Sequence, residues 1–237
     1  MERAGLSGAE RCECAAATRT QSLREGAGIP ENYESATLEN FKIPQDNPAA
    51  RAGLGTVLMQ VRSFVREFPA PTRPGLLLAG DTGSGKTHLA VAALKALLDK
   101  GHEGVFFDYQ NLLDRIRSSY DTTSGASDRE AYRSALDAEI LLLDDLGSHR
   151  VTEWVEDMVT SIMTYRCNHR KPLIATTNLP DDDITGRVTD YVTAGGREMP
   201  RKTLSEVIGT RARSRLFEMC RVVRMPAVED YRIKRMR

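Results

Sequence analysis

Gly80-Asp81-Thr82-Gly83-Ser84-Gly85-Lys86-Thr87 sets three glycines, a lysine and a threonine at the spacing G-x-x-x-x-G-K-[ST]. Glycine torsions turn successive amide N–H groups inward, and a helix beginning after the loop adds its positive end. The natural occupant of such a loop is a polyphosphate. Lys86 is placed to neutralise the β- and γ-phosphates and the Thr87 hydroxyl to ligate Mg²⁺, with His88 counted beside them among the nucleotide-binding residues. The flanking context agrees, since an apolar strand, Leu76 to Ala79, precedes the loop and a helical run, Thr87 to Lys100, follows it.

A bound triphosphate also needs a carboxylate at the end of a neighbouring strand. ILLLDDLG supplies two: Asp144 for the metal and Asp145 to polarise an attacking water. IATTNLP ends another apolar run in Thr177 and Asn178, and Asn178 there is suited to sensing the terminal phosphate and positioning the water. In IGTRARSRLFEMC, Ile208, Ala212, Leu216 and Met219 fall on one helical face, with Arg211 and Arg215 four apart on a flanking stripe. Arg215 either reaches a nucleotide in an adjacent protomer or pairs with a surface carboxylate, while Arg213 points elsewhere.

These residues need a scaffold that aligns several strand ends. Helical runs alternate with near-continuously apolar strands, which predicts an α/β fold with a mostly parallel sheet covered by helices on both faces. The expected organisation is a flexible or weakly helical arm over residues 1–28, a lead-in segment and helix over 29–72, and an ATPase core over 73–237. TEWVEDMVTSIMTYRCN places Val155, Met158, Val159, Ile162 and Tyr165 on one face, and Trp154 beside them reads as a packing anchor. Thr185 to Thr203 reads as an inserted surface loop.

Thirty-three basic and 33 acidic residues balance over the chain, but Arg201 to Arg237 carries 11 basic against 4 acidic, a local +7. That segment suits an anionic partner, or else a solvated helix face. With no long apolar run and no signal-peptide pattern, the expectation is a soluble cytoplasmic protein. Cys12 and Cys14 are one residue apart with no second pair nearby, so a structural zinc site is not expected; Cys167 and Cys220 fall in predicted helices.

Taken in order, GDTGSGKTHLA, ILLLDDLG with Trp154 seven residues on, ATTNLP, SRLFEMC and a final EDYR resemble the DnaC/DnaI-type helicase loaders, whose AAA+ ATPase core is shared with IstB-type transposition helpers. The resemblance spans roughly Ile29 to Tyr231. It implies an AAA+ P-loop fold, ATP and Mg²⁺ as cofactors, and an assembly factor that loads a hexameric replicative helicase on single-stranded DNA. The alternative it implies is a helper that assembles on DNA and works with a transposase. It further implies homo-oligomers with Arg215 as an arginine finger acting in trans, Asn178 as first sensor, and a DNA path along NLLDRIRSSY, where Arg115, Arg117 and Tyr120 contact phosphates and bases or form a solvated face. Asp145 stands where most AAA+ ATPases carry glutamate, which implies slow turnover. Seventeen residues follow Cys220, too few for a C-terminal helical lid.

Overall fold

The structure, a computed structural model, describes residues 13–119, 126–148, 152–185, 191–194 and 197–234. Five parallel strands form its centre: β1 (Gly75–Ala79), β2 (Gly104–Asp108), β3 (Ile140–Asp144), β4 (Leu173–Thr177) and β7 (Cys220–Arg224), in the order β2-β3-β4-β1-β7. Between β4 and β7 lies an antiparallel pair, β5 (Tyr191–Ala194) and β6 (Arg197–Pro200). The helices are α1 (Glu13–Gly26), α2 (Pro48–Glu67), α3 (Lys86–Asp99), α4 (Tyr109–Ser118), α5 (Ala126–Asp137), α6 (Glu153–Asn168), α7 (Asp182–Thr185), α8 (Leu204–Ile208), α9 (Thr210–Met219) and α10 (Tyr231–Lys234).

Alternation along each strand divides the core in two. Leu76, Leu78, Ile140 and Leu142 face α2, α3 and the lead-in; Leu77, Leu141 and Leu143 face α4, α6, α8 and α9. Both faces are therefore buried, which is why the strands read as unbroken apolar runs. A sheet packed on both sides is a rigid platform, and its carboxyl-end edge brings the phosphate loop, Asp144 and Asn178 together.

Residues 13–26 form α1, the helical one of the two alternatives for the arm, and the chain there is fastened: Arg24 donates to both Asp99 carboxylate oxygens at 2.8 and 2.6 Å, and the Ala27 carbonyl accepts from Phe106 N at 2.7 Å. Other local outcomes differ from the sequence expectation. Cys220 is not helical. It opens β7, in register with Gly75, because the valines of Cys-Arg-Val-Val-Arg extend the sheet beside β1. The arginine-bearing helix is also interrupted at Gly209, which leaves Ile208 in α8 and Ala212 in α9, both buried.

The other departure is Arg166, fully buried on the face of α6 that reads as apolar. Its Nη1 donates to the carbonyls of Ala135, Leu136 and Ala138, and its Nη2 to those of Glu139 and Pro172, at 2.5 to 3.2 Å. One guanidinium thus closes the end of α5 and ties together the segments that lead into β3 and β4. Burial pulls its pKa down to about 10, yet five carbonyls keep it charged at neutral pH.

Candidate functional site

A cleft of about 1360 Å³ opens at the carboxyl ends of the strands, between the lead-in, the phosphate loop and the chain after β7. The loop conformation depends on glycine at two close approaches. A Cβ on Gly85 (φ +94°) would meet the Phe41 ring at 2.7 Å, and one on Gly83 (φ +76°) would meet the Asp230 carboxylate at 2.1 Å. Lys86 starts α3, and its ammonium folds back to donate to the carbonyls of Gly80 and Asp81, both at 2.8 Å. Burial lowers its pKa, opposed by Asp145, Asp144 and Asp81. Such an ammonium gains from a closer, multiply charged anion.

The β3 end is organised by a hydroxyl relay. Thr176 Oγ1 donates to Asp144 at 2.6 Å and accepts from the Asp145 amide at 2.9 Å, while Thr87 adds a hydrogen bond to Asp144. Burial nevertheless holds the Asp144 carboxyl above its usual range. Thr87 and Asp144 present a hydroxyl and a half-buried carboxylate side by side, the oxygen donors that Mg²⁺ prefers, so the residues fit that metal. Asp145 adopts φ +56°, a left-handed turn that asparagine and aspartate tolerate best, and it too lines the cleft.

Asn178 borders the same cleft just beyond β4. His88 also lines it, but its Nε2 lies 3.0 Å from the Thr37 carbonyl and its ring tilts over Phe41 at 5.5 Å, fastening the lead-in to α3. The sequence reading does not place Asp108, Val228 or the lead-in residues such as Phe41 at the cleft, and it quotes Glu229 and Tyr231 only as part of the EDYR motif. Asp108 closes β2, opposite Asp144 in register, and caps α4 by accepting from Asn111 N at 2.9 Å. Val228, Glu229 and Tyr231 belong to the chain after β7, which returns to the loop through a 3.3 Å bond from Tyr231 N to the Gly83 carbonyl. An aspartate at a strand-to-helix junction is the local signal that could have marked Asp108, and EDYR marked Glu229 and Tyr231 without giving them a place in the cleft.

Arg215 is not brought to the cleft of its own chain. It is part-exposed on α9 and pairs with Glu218 at 2.7 Å. Neighbouring Arg213 grips the buried Asp181 at 2.6 and 2.7 Å, also bonds Asp183, and stacks on Phe217, so it fixes α9 against the loop after β4. Along α4, Arg117 lies 4.8 Å over the Trp154 ring and Arg115 5.8 Å from the Phe107 ring; Trp154 is packed against the core. Tyr120 and Cys12 lie outside the described residues. Among those residues no cluster of His, Cys, Asp and Glu could hold a metal by itself, and no helix is long and apolar enough to cross a membrane.

A parallel sheet ordered β2-β3-β4-β1-β7, with the phosphate loop after β1 and the carboxylate pair after β3, defines an ATP-binding P-loop protein of the AAA+ class, without a helical lid domain after β7 among the described residues. The family model described as IstB-like ATP binding protein matches residues 63–194. A crystal structure of a DnaC helicase loader is 30% identical, has a TM-score of 0.65, and covers 83% of this chain and 100% of its own. The chain belongs to this IstB-like family, as one of its DnaC-type helicase-loader relatives. Among curated proteins, YqaM of Bacillus subtilis (strain 168) is 26% identical over 74% of this chain and 56% of its own length. The replicative helicase loader DnaC of Escherichia coli (strain K12) is 21% identical over 71% and 66%. The chain therefore spans between half and two thirds of these curated relatives.

Proposed function

We propose that this chain is an ATP-hydrolysing assembly factor of DNA replication, which loads a hexameric replicative helicase on single-stranded DNA. The observation that carries this is the division of the machinery. One chain gathers the phosphate loop, Asp144, Asp145 and Asn178 in a cleft, while Arg215 is held on another face, available to a neighbour. In that reading Lys86 and the loop amides bind the phosphates, and Thr87 and Asp144 hold Mg²⁺, which when bound neutralises phosphate charge. Asp145 takes the proton of the attacking water and Asn178 orients it. Arg215 of an adjacent protomer stabilises the charge that develops, so turnover depends on assembly. The α4 face, with Arg115 and Arg117 set among aromatic rings, is the proposed path for single-stranded DNA.

The IstB-like family match supports a second reading, a transposition helper that coats DNA and works with a transposase. Size-exclusion chromatography with the replicative helicase of the source organism, with and without ATP, separates the two. An ATP-sensitive complex is expected for the loader. No complex, from protein shown to be folded and ATP-bound, would move the assignment to the transposition helper.

A further inference from the structure

The segment between β4 and α8 delivers a cation to the phosphate loop that no strand end supplies. Arg201 follows β6 directly, and its Nη2 donates to the Asn178 carbonyl at 2.6 Å. On its other side, Nη1 stands 3.8 Å from the Asp81 carboxylate. The backbone beyond it is pinned: the Leu204 amide donates to the Pro180 carbonyl at 2.9 Å, and Thr203 and Glu206 form a reciprocal cap at the start of α8. Movement at this position therefore belongs to the side chain rather than the backbone.

The two contacts differ in strength. The carbonyl bond is short and charge-assisted, whereas the Asp81 carboxylate is 61% exposed and its pairing long, the kind of ion pair that contributes little. The positive charge of Arg201 also lowers the Lys86 pKa, after the larger effect of burial, so two cations converge near the loop. Among the described residues, the five N–H donors of its guanidinium make one hydrogen bond and one long ion pair. Spare donors beside an anion-binding loop favour an additional phosphate.

We propose that Arg201 reads the terminal phosphate in cis: when a nucleoside triphosphate is bound, the guanidinium keeps the Asn178 carbonyl and exchanges Asp81 for γ-phosphate oxygens. This rests on the ATP-binding reading above. A diphosphate has no group for Arg201 to take, so the exchange distinguishes ATP from ADP, and it ties the base of the β5–β6 pair to the nucleotide state.

The test is equilibrium binding of a fluorescent non-hydrolysable ATP analogue and of fluorescent ADP to the full chain. Arg201→Ala is expected to weaken the triphosphate about tenfold and ADP by less than about twofold, since one charge-assisted contact is lost from only one ligand. Arg201→Lys should recover part of the loss. Asp81→Asn removes the competing carboxylate and should act in the opposite direction: loss of a loop charge favours both nucleotides, and the triphosphate should tighten about threefold more than ADP. Equal losses for both nucleotides in Arg201→Ala, or none, would overturn the proposal. An unchanged ATP-to-ADP preference in Asp81→Asn would do the same, even if the alanine variant failed to fold. A wild-type chain that bound neither nucleotide would instead overturn the ATP-binding reading itself.

Discussion

Lys86 and Arg166 are both cations removed from water, at opposite ends of the same sheet, and the protein treats them differently. Arg166 is enclosed by five carbonyls, four from the run 135–139 and one from Pro172, with only its Nε left over. Lys86 holds two carbonyls of its own loop, in an open cleft with Asp144 and Asp145 nearby. The first is a permanent rivet and the second a provisional arrangement. Carbonyls of one's own loop are contacts that a phosphate can replace at little cost, whereas buried carbonyls of two separate segments are not. The structural end of the sheet is complete in one chain, while the nucleotide end is complete only with a ligand and, in the proposed function, a neighbour.

The largest effect should come from the rivet. Arg166→Met leaves five inward carbonyls without their donor and is expected to cost about 3–5 kcal/mol, measured by urea denaturation. A loss below about 1 kcal/mol would mean that water or backbone shifts replace the guanidinium. Lys86→Ala tests the other side of the comparison: calorimetric titration should detect no ATP binding, with the denaturation midpoint almost unmoved. Arg215→Ala should leave binding intact and remove turnover at protein concentrations where the wild type assembles. Unchanged turnover there would remove the finger role.

The smallest effect concerns Asp144. Its carboxyl is held above the ordinary range by burial, so between the ordinary value and the raised one the folded chain binds more protons than the unfolded chain. Stability without nucleotide should therefore fall as pH rises through that window, and the penalty is fully present above it. Asp144→Asn removes the penalty and should raise the melting temperature of the nucleotide-free protein at neutral pH by roughly 2 °C, while abolishing Mg²⁺-dependent tightening of ATP. A lower melting temperature would show that the Thr176 and Thr87 hydroxyls outweigh the burial.

The same contrast explains what could be read from the chain. Phosphate loop, aspartate pair and Asn178 are local patterns, each fixed by a strand running into a turn, so their residues could be named individually. The doubly covered parallel sheet followed from unbroken apolar strands alternating with helices. Arg166 was invisible because helical periodicity counts an arginine as polar, and nothing local says that five carbonyls will surround it. Cys220 reads as the end of the preceding helix because Leu216 and Met219 keep the helical period to its edge, and only pairing with Gly75 makes it a strand residue. Arg201 and the return of Tyr231 to Gly83 are contacts between distant parts of the chain, and no spacing rule reports them.

The most direct test of a nucleotide site completed by a neighbour is a mixing experiment. Asp145→Asn and Arg215→Ala each disable one half of the proposed shared site, so each should hydrolyse ATP poorly alone. Mixed at equal concentration, they should recover a substantial fraction of wild-type turnover, because some interfaces then pair an intact Asp145 with an intact Arg215. Turnover in the mixture no higher than the average of the two separate variants, with assembly verified, would contradict the account.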